Sequence, residues 1–429
     1  DKQSQIPQSS SNFIQLGEDV SNLSKASTVQ DSHLKNGADS QHQNPISWFI
    51  FGLMASVTFI GILSELMPSG ILPQMTAGLG IEQTQVGFLV GIYALASAIF
   101  AIPLISMTLW VNRKILLLVL LAGFAISNIV VGLTSSYALI VTMRIIGGIC
   151  AGIMWPMIAA YGTALVPENL HGKAITIIMA GNTFGVSLGL PIMTYIGTQV
   201  GWRTSFIVLG VLGAVIALLA MKFLPSVQGE KLTQSNSPIA VLKIPGVWIV
   251  LALTFLAVVA HYSTYTYITL LVETIKFVGG ISLALFIFGI GSVISVILSA
   301  KIIDTHLRGL IVGMLVCGVV AMLLFVFFRG TNGFAHFAFL LWGLAFGPLV
   351  TMFQTAVSHQ VTEAKAVATS VQSSVFNFSI MIATWLAGLI LVHMPETGVL
   401  GIVYLSILCF VPAIIITVIS KKTLAAPVV

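Results

Sequence analysis

Charge is what this sequence has least of. Its 429 residues include 18 Lys or Arg and 13 Asp or Glu, 7% of the chain, where soluble domains carry about 25%. With 57% hydrophobic residues and a mean hydropathy of +1.04, too little polar side chain exists to cover a water-facing surface of this size. Soluble enzymes, nucleic-acid binders and secreted disulfide-stapled folds are poor readings of such a chain. Cysteine is nearly as rare. Cys150, Cys317 and Cys409 sit far apart in apolar runs, without metal-ligand spacing. The sequence also lacks His-Glu-x-x-His, a phosphate-cradling Gly-rich loop and Gly-x-Ser-x-Gly, so neither an enzyme nor a metal or other cofactor is expected. What remains is an all-α integral membrane protein.

Apolar runs fill the chain from Ile46 onward, each long enough to cross a bilayer at about 20 residues per crossing. Twelve are expected, at 46–72, 83–109, 112–133, 136–166, 171–199, 202–224, 246–272, 279–303, 307–328, 332–360, 364–392 and 397–420, with Pro73, Pro167, Gly201, Pro225 and Pro245 among the breaks. Residues 1–45 read differently. They are rich in Ser, Gln and Asn, have neither the apolar core nor the basic start of a signal peptide, and sum to −2 in charge. The expectation there is a disordered cytoplasmic tail.

The polar stretch 225–245 divides the spans six and six, giving bundles at 46–224 and 246–420 and a terminus at 421–429. The halves resemble copies offset by 195 residues: Arg113 with Arg308, Gly148 with Gly343, Gly152 with Gly347, and Glu168 with Glu363. Parallel six-span repeats imply two pseudo-symmetric bundles related by an axis along the membrane normal. With the tail in the cytoplasm, eleven basic residues fall in inside loops and at the C-terminus against three outside (Arg203, Lys276, Arg329). The positive-inside rule then places both ends in the cytoplasm.

A charge at mid-membrane costs roughly 2.5–3.5 kcal/mol on insertion scales, so each one calls for a reason. Glu65 lies eight residues before Pro73 and Arg144 eight after Ser136, which puts both about 12 Å from the outer surface at 1.5 Å per residue. Equal depth allows them to pair, either as a static salt bridge or as a pair that exchanges partners during proton or substrate coupling. His261, in the polar run His261–Tyr267, is a further proton-relay candidate or else a neutral hydrogen-bonding residue. Asn182, Gln354, Gln372 and Asn377 are either substrate contacts or interhelical glue, and Trp155 and Trp342 are cavity-lining or core residues. Gly148, Gly152, Gly185 and Gly189 are close-packing positions.

These motifs resemble the major facilitator superfamily over roughly residues 46–420, in particular the twelve-span drug:proton antiporters and, among them, exporters of sugars, nucleosides and drugs related to arabinose-efflux permeases. The similarity is carried by Glu65-Leu-Met-Pro68-Ser-Gly70-Ile-Leu-Pro73, Tyr93-Ala-Leu-Ala, Arg144-Ile-Ile-Gly-Gly148, Gly185-Val-Ser-Leu-Gly189-Leu-Pro191, Gly201-Trp202-Arg203 and His261 through Ile268. The loop before span 3 departs from the family pattern. It reads Leu109-Trp110-Val111-Asn112-Arg113-Lys114 and lacks the usual aspartate, while the matching second-half loop keeps Asp304 and Arg308.

The resemblance implies proton coupling through Glu65, Arg144 and His261, and a conformational latch at Arg113, Asp304 and Arg308. Gln354, Phe376 and Asn377 fall where those exporters carry the same residues; substrate contacts are expected there and at Tyr93, Trp155, Asn182 and Tyr265, and helix packing at the glycines with Pro191. The expected function is export of a small organic molecule, of the kind that confers multidrug resistance, in exchange for protons by a monomer in a bacterial inner membrane. A facilitator or importer with a fixed Glu65–Arg144 pair, and a non-transporting sensor that uses the tail, are the other readings.

Overall fold

The computed structural model describes residues 47–167, 170–229, 238–331, 333–361 and 365–425. The expectations for the tail, for Glu168 and Glu363, for Lys231 and for residues 426–429 lie outside these. Among the described residues, twelve helices are long and apolar enough to cross a membrane: Trp48–Gly70, Gln83–Thr108, Arg113–Leu133, Tyr137–Ala164, Lys173–Gln199, Trp202–Phe223, Pro245–Thr266, Gly280–Ile302, Leu307–Phe327, Phe334–His359, Val367–His393 and Val399–Ile419. These are spans 1 to 12. An even number of crossings leaves both described ends on one face, here called the terminal face; the other is the distal face.

Hydrophobicity alone does not hold such helices together, because lipid tails are as apolar as the side chains; close approach and hydrogen bonds do. The glycine pairs of spans 4 and 10 supply the close approach. A Cβ at Gly148 or Gly152 would strike the carbonyl oxygen of Tyr93 or Ser97 in span 2, and one at Gly343 or Gly347 that of Phe288 or Ser292 in span 8. Tyr93 and Phe288 differ by 195 residues, and so do Ser97 and Ser292. The offset expected for the glycines therefore holds for the backbone they touch, and the two six-helix bundles repeat one packing scheme.

Spans 1 and 7 are broken near their distal ends at matching places. Ile71 (φ −125, ψ 26) separates span 1 from the short helix Leu72–Leu79, and Tyr267 (φ −107, ψ 30) separates span 7 from Ile268–Thr274. In span 5, Gly185–Gly189 forms a single π-helical turn in which the Leu190 N–H reaches back five residues to the Gly185 carbonyl. Pro191 explains it: without an N–H it cannot bond the Ser187 carbonyl four residues back, so the ladder widens by one residue. Gly185 packs on Ile62 and Phe59, and Gly189 on Phe59 and Leu63, both in span 1. Gly181, not singled out in the sequence, belongs to the same stripe and meets the Ala55 carbonyl.

The halves meet along spans 2 and 11 and along spans 5 and 8. Gly91 faces Thr384 and Met381, the Ser374 hydroxyl donates to the Ala98 carbonyl at 3.3 Å, and Gly289 lies against the Ser187 backbone. Near the distal face the Tyr267 hydroxyl covers Gly87 and Gly388. Large apolar side chains such as Ile126, Ile192, Trp385 and Leu408 are exposed on the outside, as a hydrocarbon solvent requires.

Candidate functional site

The two intramembrane charges come together, but not as a carboxylate–guanidinium pair. Arg144 is 3% exposed. Its Nε donates to the Leu89 carbonyl in span 2 at 2.9 Å, its Nη2 to the Glu65 carbonyl at 2.9 Å, and its Nη1 to the Ser64 carbonyl. The guanidinium carbon sits 4.3 Å from the centre of the Tyr93 ring, a cation–π arrangement. Of the two arrangements expected, the static salt bridge is not the one seen: main-chain oxygens take the guanidinium's donors.

Proline supplies the reason. The Ser64 carbonyl would normally accept the N–H of residue 68; Pro68, inside the helix, has none to give. A buried carbonyl without a donor is costly, and Arg144 provides the donor. Asn128 of span 3 completes the cluster, donating to the Ser64 hydroxyl at 3.0 Å and the Phe124 carbonyl at 2.8 Å.

Glu65 is left with a carboxylate that accepts no hydrogen bond from any described residue, on a side chain 7% exposed. Within its electrostatic reach are Arg144, Tyr93, Tyr262 and Tyr265. Tyr93 and Tyr265 are each 1% exposed, and their hydroxyls are without partners among the described residues. One carboxylate and two free hydroxyls between the halves can take up protons, a cation or hydrogen-bonding groups.

The second-half wall of this region is aromatic. His261, 2% exposed, stacks on Phe346 with ring centres 4.1 Å apart and 15° between planes, and also touches Tyr262, Tyr265, Phe288 and Trp342. The Trp342 indole donates to His261 Nδ1 at 2.9 Å. An indole N–H only donates, so Nδ1 carries a lone pair and the single ring proton is on Nε2: the imidazole is neutral. Phe376 joins through an edge contact with Tyr262 at 6.2 Å.

Other expected contacts do not join this cluster. Trp155, Asn182 and Gln354 are half-buried and make no ring contact or side-chain hydrogen bond with it, and Asn377 bonds only its own helix, through the Ser373 carbonyl at 3.0 Å. Phe288 and Phe346 were missed. Phe288 had a signal, since it stands 195 residues after Tyr93; Phe346 had none. At the positions equivalent to Glu65 and Arg144 the second half carries Ala260 and Phe339, so the charges are confined to the first half.

Asp304 and Arg308 are not joined either. Asp304 is exposed, and Arg308 donates instead to the Thr417 and Val418 carbonyls at the end of span 12, at 3.1 and 2.6 Å. In the first half, Asn112 caps span 3 by accepting from the Lys114 N–H at 3.0 Å, and its amide donates to the Ser226 hydroxyl at 2.7 Å. The N–H of the buried Arg113 donates to the Val227 carbonyl at 2.8 Å. The chain leaving span 6 therefore docks on the short loop whose aspartate is missing.

Residues 54–384 match the sequence profile of the Major Facilitator Superfamily. The chain belongs to that superfamily. Its members are transporters, and this one is a multi-pass membrane transporter of small molecules. Among solved structures, it is similar to the nucleoside transporter NupG, with 13% identity and a TM-score of 0.70 over 87% of this chain and 99% of the other. It also resembles the human organic anion transporter MFSD10, with 15% identity and a TM-score of 0.64 over 86% and 97%. A bacterial homolog of the human lysosomal transporter Spinster, inward-facing and occupied, shares 16% identity and a TM-score of 0.63 over 89% and 96%. At such identities the likeness is one of fold.

Proposed function

We propose that this transporter exports a small organic molecule in exchange for protons, by alternating access between its two bundles, with both ends in the cytoplasm of a bacterial cell. The observation that supports it is the Glu65 carboxylate. It is enclosed at mid-membrane without a hydrogen bond from any described residue, while the guanidinium of Arg144 is committed to carbonyls. An unpaired charge there is expensive, and a group that alternately holds and releases a proton avoids the expense for part of each cycle. Tyr93, Tyr265 and Phe376 line the substrate side of this reading. Asn182, Gln354, Asn377 and Trp155 reach the substrate in states with a different packing of the halves.

The test is a screen of antibiotics, sugars and nucleosides in vesicles of reconstituted protein, with a pH-sensitive dye inside. A transported compound should move protons in the opposite direction, and Glu65→Gln should abolish this while leaving the protein folded. Full pH-dependent flux in the Gln variant refutes the role of Glu65. Substrate movement without proton movement in the unaltered protein would make it a facilitator.

A further inference from the structure

The intramembrane arginine has a task that its charge does not explain. Ser64, Pro68 and Arg144 form a three-part arrangement: a helix carbonyl, the proline that deprives it of its donor, and a guanidinium that restores one from another span. The same guanidinium ties down the Glu65 carbonyl at 2.9 Å and the Leu89 carbonyl of span 2 at 2.9 Å, while lying over the Tyr93 ring. Its fork thus holds span 1 against spans 2 and 4 just before the helix breaks at Ile71. The Cα that carries the unpaired carboxylate belongs to one of the clamped peptide units.

We infer that Arg144 is a positioning residue: it acts through the Pro68-freed Ser64 carbonyl to fix the direction of span 1, and thereby of Glu65, rather than as the counterion of the Glu65 side chain. Three carbonyls at fixed angles need several donors in one plane, which a guanidinium has and an ammonium lacks. The geometry is specific to the first half. Phe339 stands at the place of Arg144 and Ser263 at that of Pro68, so the second half has neither the freed carbonyl nor the donor. The inference rests on the reading of Glu65 as the working carboxylate only for its consequence; the clamp itself can be tested without a substrate.

The decisive change is Pro68→Ala, which returns an N–H to the Ser64 carbonyl and makes the arginine's donor redundant. Purified protein lacking Cys317 and Cys409 is heated at a fixed temperature, and exposure of the buried Cys150 thiol to a maleimide dye gives the unfolding rate. Arg144→Gln is expected to raise this rate about tenfold with Pro68 in place, the factor carried by one buried hydrogen bond of ordinary net strength. In the Pro68→Ala background the same change should raise it by about twofold or less. Equal factors in the two backgrounds overturn the inference, because they would mean that Arg144 acts independently of the freed carbonyl. Should Arg144→Gln not be recovered as folded protein, recovery becomes the measurement: Pro68→Ala restores it or the inference falls.

A pH profile separates positioning from general stabilisation. The infrared carboxyl band that disappears in Glu65→Gln is titrated in Arg144→Gln and in Arg144→Gln/Pro68→Ala. Both lack the charge, so only the course of span 1 differs between them. Midpoints separated by about half a pH unit or more, a difference well inside the range that environment imposes on carboxyls, are expected. Coincident midpoints overturn the positioning of Glu65. Absence of any titrating band in the unaltered protein would count against proton uptake at Glu65 and leave the unfolding result to decide the clamp.

Discussion

Gly148→Ala adds one methyl group where two helices touch backbone to backbone. Its Cβ would lie on the Tyr93 carbonyl oxygen, with the Tyr93 carbonyl carbon at 2.9 Å and the Ala96 Cβ at 3.1 Å. None of these atoms is at the end of a flexible side chain, so no rotamer change relieves the clash. Spans 2 and 4 must separate by about an ångström over several turns, which makes this overpacking of a close-packed contact, at about 1–3 kcal/mol. Even the lower figure corresponds to about a fivefold change in the folded-to-unfolded ratio. The repeat supplies an internal check. At Gly343 the new Cβ would meet the Phe288 carbonyl oxygen, its carbon at 2.8 Å and the Phe288 Cα at 3.1 Å, so Gly343→Ala should cost the same within error. Gly52 near the terminal face of span 1 has nothing within 4 Å of its would-be Cβ. Gly52→Ala should therefore be neutral or gain up to about 1 kcal/mol from helix propensity. Unfolding of the purified variants in one detergent, followed by helical circular dichroism, gives the order. If Gly148→Ala is as stable as the unaltered protein, or Gly148 and Gly343 fall on opposite sides of Gly52, the shared packing scheme is wrong.

Two further outcomes follow from particular contacts. Trp342→Phe removes the only described donor to His261 Nδ1 at the loss of about 1 kcal/mol for one net hydrogen bond; nitrogen NMR of labelled histidine should show the Nε2–H tautomer before the change and a mixture after it, and an Nδ1–H form in the unaltered protein contradicts the assignment. At the terminal face, Arg308→Gln should destabilise the protein by about 1–3 kcal/mol through the stranded Thr417 and Val418 carbonyls, whereas Asp304→Asn should change stability by under about 0.5 kcal/mol; equal losses in a melting assay would restore a working Asp304–Arg308 pair.

The spans were legible because a bilayer demands about 20 apolar residues whatever lies next to them, and the doubling was legible because close packing forces glycine at repeated positions. Glu65 and Arg144 stood out for a related reason: a mid-membrane charge is too expensive to be incidental. Their mode of contact did not show, since every residue offers a carbonyl and a hydrogen bond to one leaves no mark on residue type. Ser64 and Pro68, four apart, held the clue, but only to a reader who asked where each freed backbone oxygen goes. Phe346 was invisible among 25 phenylalanines in a mostly hydrophobic chain. Arg308 was paired with its sequence neighbour Asp304 when its acceptors stand 109 and 110 residues away.

Glu65 is the single acidic residue within the twelve spans, and under proton exchange that number sets a ceiling on the work of each cycle. One carboxylate carries one proton. A proton falling through 100 mV releases about 2.3 kcal/mol and through one pH unit about 1.4 kcal/mol. Against an uncharged cargo these together sustain a concentration ratio of about 500-fold and no more, however tightly the cargo is bound. At that driving force a steeper gradient would need a second coupled proton, and Ala260, the repeat's counterpart of Glu65, supplies no second carboxylate to carry it.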